Sequence, residues 1–283
     1  LGASEQSPSG QFVTVDGLRL HYRILGKGPK AVVIHGASGN LRDWTAGPAQ
    51  RLGETHQLLL FDRPGLGFSE RPAKDGDDPS VQAALMRKAA GELGFGGAPV
   101  VGHSLGGAVA LAWALDAPGE TPGLLLIASP SQVWEGGVGT LYNLLHNPLT
   151  GPLVARALPL LATDRLARDT VARIFEPQSP PRGYLDWVSP RLTLRPSVLR
   201  ANAADVGNLK GYIREMVPRY GRLTMPVELV HGDTDDTVPS HIHSEVTVAT
   251  LQNARLTLLP GIGHMPHHTS TGQIAAALAR LTR

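Results

Sequence analysis

Ser104 stands between Gly102 and Gly106 in "VVGHSLGGAVAL", a stretch that begins as an apolar strand and ends as a helix. A serine hydroxyl at such a turn can act as a nucleophile, but at its own pKa it is a weak one and needs a base. The glycines fit that chemistry. A β-carbon at either position would collide where the backbone pinches, and the pinch lifts the serine oxygen above the sheet at the start of a helix. There the N–H of Leu105 faces the carbonyl on which negative charge develops.

The base should be a histidine whose far nitrogen is held by a carboxylate. Both occur downstream, acid first. "VELVHGDTDDTVP" offers Asp235 on a loop after a strand, with Asp233 and Asp236 as competitors. "LTLLPGIGHMPHH" offers His264 after a strand and a glycine turn. Upstream, "VVIHGASGN" presents the N–H of Ala37 as a second donor for an oxyanion.

These residues need a scaffold that gathers strand ends. "KAVVIHG", "HQLLLFD", "APVVGHS", "PGLLLIAS", "MPVELVHGD" and "ARLTLLPG" are short apolar runs separated by helical patterns. Such alternation implies a mostly parallel sheet covered on both faces, with loops converging at the carboxyl ends of its strands. "QFVTV" and "LRLHYRIL" flank Asp16-Gly17, a hairpin signal. In "SVQAALMRKAAGEL", Val81, Leu85, Ala89 and Leu93 recur at the spacing of an amphipathic helix.

The rhythm breaks over 131–222, which is too long for an ordinary connection. The expected plan is an α/β fold with an eight-stranded, mostly parallel sheet: a flexible lead-in over 1–10, a core over 11–130 and 223–283, and a helical cap over 131–222. "NLLHNPL" and "LVARALPLLA" suggest that the cap forms a largely apolar roof over Ser104, with its arginines facing solvent. Trp134, Tyr142, Tyr184, Trp187 and Tyr212 are candidates to line the pocket beneath it.

With these motifs in order, the chain resembles the α/β-hydrolase superfamily from "LRLHYRILGKGPKAVVIHGASGN" through "FDRPGLGFSERP" and "VVGHSLGG" to "GIGHMPHH". The resemblance implies Ser104 as nucleophile, His264 as base, Asp235 as its acid, and the amides of Ala37 and Leu105 as the oxyanion hole. It gives Asp62, Gly65, Gly67 and Ser69 a structural part in the loop after the fourth strand. Serine in place of aspartate at the elbow argues against dehalogenation and epoxide opening. Among serine members, His103 before the nucleophile, where carbon–carbon bond hydrolases more often carry asparagine, tilts the expectation toward a carboxylesterase acting on small apolar esters without a cofactor. The alternatives are a carbon–carbon bond hydrolase and a receptor-like protein that binds its ligand and turns it over slowly or not at all.

Composition narrows the field further. The 283 residues carry a net charge of +2, which gives no reason to expect nucleic acid, and contain no cysteine, which removes disulfides, thiol nucleophiles and zinc–thiolate sites. The charge is uneven: 131–222 holds a net +5, leaving −3 for the rest. No apolar run approaches the ~20 residues of a membrane helix. The small, polar "LGASEQSPSG" is compatible with a cytoplasmic protein or with one exported after losing a leading segment. His241, His243, His264, His267 and His268 are numerous, but no acid is regularly spaced with "HMPHH", so no metal site is expected. His267 and His268 should line or cap their loop, and His35 and His103 should satisfy local backbone groups.

Overall fold

A computed structural model describes residues 7–282 of the chain. Its sheet has eight strands: β1 (Gln11–Val15), β2 (Leu18–Leu25), β3 (Lys30–Ile34), β4 (Gln57–Phe61), β5 (Val100–His103), β6 (Leu124–Ile127), β7 (Val227–Gly232) and β8 (Ala254–Leu259). Their spatial order is β1-β2-β4-β3-β5-β6-β7-β8. β1 and β2 form the expected hairpin, with Asp16 and Gly17 both at positive φ (50° and 79°). That is the conformation a two-residue turn needs to match the twist of its strands. β2 runs antiparallel to β4, and every later pairing is parallel.

The central strands β3 to β6 are largely apolar because both faces are covered, and successive residues serve opposite sides. Val32, Ile34, Leu59, Phe61, Leu124 and Leu126 pack with α3 (Pro79–Glu92) and α4 (Leu105–Asp116). Val33, Leu58, Leu60, Leu125 and Ile127 pack with α1 (Arg42–Thr45), α2 (Pro48–Gly53) and α13 (Thr271–Leu281). Fully burying each such side chain stabilises the fold by roughly 1.5–3 kcal/mol.

Between β6 and β7 the chain makes α5 (Thr140–His146), α6 (Gly151–Leu161), α7 (Asp164–Phe175), α8 (Tyr184–Val188), α9 (Pro190–Thr193) and α10 (Pro196–Met216). Two short helices, α11 (Ser244–Thr250) and α12 (Pro266–Thr269), complete the α-helices among the described residues, beside two 3-10 turns at Pro118–Glu120 and Val217–Arg222. α5, α6 and α10 share a small core of Leu145, Ala155, Leu199 and Ala203.

The expected apolar roof is overturned on α6. Its buried residues are the small Gly151 and Ala155, whereas Leu153, Leu160 and Leu161 are 69%, 86% and 71% exposed. Close approach dictates this orientation. A β-carbon on Gly151 would lie 2.3 Å from the Leu145 carbonyl oxygen, so the helix enters with its small-residue side against its neighbours; Val154 and Leu158 pack at the edge of that contact, and Leu153, Leu160 and Leu161 turn outward. Residues 1–6 of the expected flexible lead-in lie outside the described residues. Of the remainder, the Ser7 carbonyl accepts a bond from Arg42 and the Gly10 N–H donates to His21 Nε2 at 3.0 Å.

Candidate active site

Ser104 sits between β5 and α4 with φ 51° and ψ −127°, a conformation that costs a non-glycine residue free energy and persists only where its surroundings enforce it. The enforcement is visible at the glycines. A β-carbon on Gly102 would lie 2.3 Å from the Gly106 carbonyl oxygen, and one on Gly106 would lie 2.5 Å from the carbonyl oxygens of Ile34 and His35. A β-carbon on Gly107 would overlap Ser129 Oγ at 1.8 Å. The pinch inferred from Gly102 and Gly106 is therefore contact between backbone segments, extended by Gly107.

His264 Nε2 lies 3.1 Å from Ser104 Oγ, and His264 Nδ1 lies 2.7 Å from Asp235 Oδ2. With Nδ1–H donating to the carboxylate, Nε2 is free to accept the serine proton. Asp235 is buried, whereas Asp233 and Asp236 are exposed. Asp233 instead accepts the Gly261 N–H. Burial alone would raise the Asp235 carboxyl. Hydrogen bonds from His231 and His264, the charge of His264 and the Val238 N–H outweigh burial and hold it well below the usual carboxylate range. His231 and the amides of Thr237 and Val238 were not legible as its partners; they come from the strand end and the loop itself.

The oxyanion candidates flank the serine. Gly36 presses on the elbow so closely that a β-carbon there would lie 3.0 Å from Ser104 Cβ. Ala37 follows it, and Ser38 then turns at φ 55°. Leu105 opens α4, where a helix offers its N–H no internal acceptor. Among the described residues neither the Ala37 nor the Leu105 N–H meets a protein acceptor.

Behind Gly36 lies Arg63, fully buried. Its Nε donates to the His35 carbonyl at 3.1 Å, and its Nη1 to Gln82 at 2.9 Å and to Asp205 Oδ2 at 2.8 Å. His35 keeps Nδ1–H on the Gly36 carbonyl and accepts the Arg63 N–H at Nε2. Burial, then the neighbouring guanidinium, lowers its pKa to about 4. Asp62 binds His21 and the amides of Leu41 and Phe68, and Ser69 Oγ donates to the Asp62 carbonyl. Gly67 has no room for a β-carbon against the Asp62 carboxylate.

The remaining histidines are not where the sequence put them. His103 does not satisfy its own neighbourhood; its Nε2–H donates to the His264 carbonyl at 2.9 Å. His267 and His268 do not cap their loop but bind a buried acid from more than 220 positions upstream, Asp43, at 2.9 and 2.8 Å. Tyr184, a pocket candidate, donates to the same carboxylate at 2.7 Å. Asp43, His103 and His267 each bring one potential metal-ligand atom within 4.8 Å of the others. The acid that "HMPHH" lacked in sequence is thus supplied by the fold, and hydrogen bonds from Tyr184, His267 and His268 already engage its oxygens.

The other aromatic candidates divide. Tyr142 Oη lies 3.4 Å from Ser38 Oγ, Tyr212 donates to Asp77, Trp134 packs edge-on to His243, and Trp187 is exposed. A cavity of about 710 Å³ opens between α6, α7, α9 and α10, lined by Arg156, Pro159, Thr163, Leu194 and Arg195 among others; Ser104, His264 and Asp235 are not part of its wall. No helix among the described residues is long and apolar enough to cross a membrane.

Residues 31–277 match the profile of the Alpha/beta hydrolase family. The chain is 28% identical to a pimeloyl-[acyl-carrier protein] methyl ester esterase of Nitrosomonas europaea, over 87% of its own length and 93% of the relative's. It is 25% identical to a 2-hydroxy-6-oxo-6-phenylhexa-2,4-dienoate hydrolase of Burkholderia cepacia, over 92% and 91%. A thermophilic esterase from Thermogutta terrifontis shares the fold, with a TM-score of 0.76 at 19% identity over 97% of this chain and all of the other.

Proposed function

The chain belongs to the alpha/beta hydrolase family, and from that premise we propose that it is a serine hydrolase cleaving a carboxylic ester or related acyl bond of a small molecule. The observation that carries this reading is the unbroken hydrogen-bond chain from Asp235 through His264 to Ser104. Ser104 Oγ attacks the carbonyl carbon as its proton passes to His264 Nε2. The carbonyl oxygen becomes an oxyanion held by the Ala37 and Leu105 amides. Asp235 keeps the imidazole in the required tautomer and stabilises its charged form. As the tetrahedral species collapses, His264 protonates the departing alcohol, leaving an acyl ester on Ser104. Water, deprotonated by His264, then releases the acid.

No step needs a cofactor. Residues 131–222 act in this reading as a cap that shapes substrate access. A second reading, hydrolysis of a carbon–carbon bond by the same residues, draws support from relatives such as the Burkholderia cepacia enzyme.

The test is turnover of a series of chromogenic esters, together with covalent labelling by a fluorophosphonate. Ser104→Ala should abolish both while the fold persists. A folded Ser104→Ala variant with near-normal turnover would remove the nucleophile assignment. Labelling of Ser104 without ester turnover, with cleavage of a vinylogous diketone instead, would favour the carbon–carbon reading. Tight ligand retention with negligible turnover of any substrate would leave a binding protein.

A further inference from the structure

The turn that carries Ala37 is gripped from two sides, and both grips lead to one helix. Ser38 follows Ala37 at positive φ, so its peptide needs external support. Asn202 of α10 supplies it: Oδ1 accepts the Ser38 N–H at 2.6 Å and Nδ2 donates to Ser38 Oγ at 2.9 Å. Thr193 of α9 donates to the Ser38 carbonyl at 2.9 Å. On the other side, the carbonyls of His35 and Gly36 are bound by Arg63, at 3.1 and 3.4 Å. Arg63 is itself held by Asp205, one helical turn beyond Asn202 on the same helix. Asn202 and Asp205 are both buried. No sequence signal marked either residue, since both lie more than 130 positions from what they hold.

We propose that Asn202 is a positioning residue for hydrolysis, one that fixes the Ala37 amide by clamping the following peptide at Ser38. This rests on the assignment of Ala37 to the oxyanion hole. The Ala37 N–H and the Ser38 N–H lie on consecutive peptide units joined at the Ala37 Cα, so a rotation of the Ala37–Ser38 peptide changes the backbone angles at Ala37 and swings the donor away from the developing charge. A donor that is misaimed, not missing, affects the transition state more than the bound ester, and misplacement by about 1 Å can cost ~10²-fold. The inserted helices thereby set the electrophilic side of the site as well as covering it. A change in the seating of α10 would alter kcat without touching Ser104, His264 or Asp235.

The test compares Asn202→Leu, which removes both hydrogen bonds while keeping the branching and heavy-atom count of the side chain, with Asn202→Asp, which keeps an oxygen acceptor for the Ser38 N–H. On a chromogenic ester, Asn202→Leu should lower kcat about 10–100-fold with KM within about threefold. Affinity for a trifluoromethyl ketone, which binds as a tetrahedral oxyanion, should fall in parallel. Asn202→Asp should recover part of both, short of wild type because its negative charge opposes the oxyanion. The pH–rate profile of Asn202→Leu should be unchanged, because Asp235 and His264 are intact and the substitution adds no titratable group.

Thr193→Val loosens the next peptide, through the Ser38 carbonyl, and serves as the second variant should Asn202→Leu fail to fold. It should show a smaller loss of the same kind. Wild-type kcat and ketone affinity in the folded variants would overturn the proposal. So would a loss carried entirely by KM, which would make Asn202 a part of the binding wall. Failure of the underlying reading is distinct: the wild-type protein itself would neither turn over esters nor be labelled at Ser104.

Discussion

His103 Nε2 lies 2.9 Å from the carbonyl oxygen of His264, so the residue before the elbow serine holds the backbone of the histidine that faces it. The bond spans the sheet from β5 to the loop after β8 and is buried. Because Nε2 carries the proton, Nδ1 is bare, and it is buried without a partner. Burial, with the nearby imidazoles of His267 and His264, holds the His103 pKa well below its ordinary value, so the ring stays neutral.

His103→Leu should therefore act on two readouts. It strands the His264 carbonyl, which costs about 1–3 kcal/mol by urea denaturation. It also loosens His264 against Ser104 Oγ, so kcat should fall while KM changes little. A variant with unchanged stability and unchanged kcat would show that the bond neither supports the loop nor aims the imidazole.

Asp235→Asn should cost at least ~10² in kcat, because an amide cannot hold His264 in the Nδ1–H tautomer or stabilise its cation. Asp233→Asn should be nearly silent in kcat, since Asp233 is exposed and its carboxylate accepts the Gly261 N–H of the turn after β8, away from His264 Nδ1. Steady-state kinetics on one ester decide between them. Equal effects at the two positions would break the assignment of Asp235.

The choice among those aspartates shows where the sequence stops speaking. Strand, glycine turn and acid narrowed the loop to Asp233, Asp235 and Asp236, and burial separates them in the structure. Ser104, His264 and Ala37 were legible because each sits at a strand end with a local backbone demand that only certain residues meet. Asp43, Arg63, Asn202 and Asp205 were not, because their meaning depends on partners more than 100 positions away. The outward leucines of α6 failed for a related reason. A periodicity says that a helix has an apolar face, but a neighbour's approach, here to Gly151, decides which face is covered.

Acid should destabilise the protein in two stages. Burial lowers His35, His243 and His267 from 6.5 to about 4 in the fold, and also holds His103 well below its ordinary value. Between pH 6.5 and 4 the unfolded chain therefore binds protons that the native state refuses. Stability is full above about pH 6.5 and is lost as pH falls through this window, by up to about 1.4 kcal/mol per pH unit for each group. Asp43 and Asp235 are held below their ordinary 3.8, so their contribution is lost only at lower pH. Denaturation free energies at pH 7.5, 6, 5 and 4 should trace the first stage. A flat profile from pH 7 to 4.5 would mean that these histidines protonate freely in the fold.

Asp205 provides the sharpest stability test. It and Arg63 are fully buried, with Nη1 to Oδ2 at 2.8 Å, and Arg71 reaches the other carboxylate oxygen at 2.9 Å. Asp205→Ala leaves the Arg63 guanidinium buried with no counter-charge, an arrangement that typically costs 3–5 kcal/mol. Arg71 is partly exposed and can turn to water, so the penalty belongs mainly to Arg63. Replacing both charges, in Arg63→Met with Asp205→Leu, removes the stranded cation and should recover part of the loss. It should not recover all of it, because Arg63 Nε also binds the His35 carbonyl, and an apolar side chain leaves that oxygen unpaired in the interior, whereas the Gly36 carbonyl keeps its bond from His35 Nδ1. Urea titrations of the single and double variants measure this directly. Full recovery in the double variant would show that Arg63 serves only to neutralise Asp205. An Asp205→Ala loss below about 1 kcal/mol would show that water reaches Arg63 as soon as the carboxylate is gone.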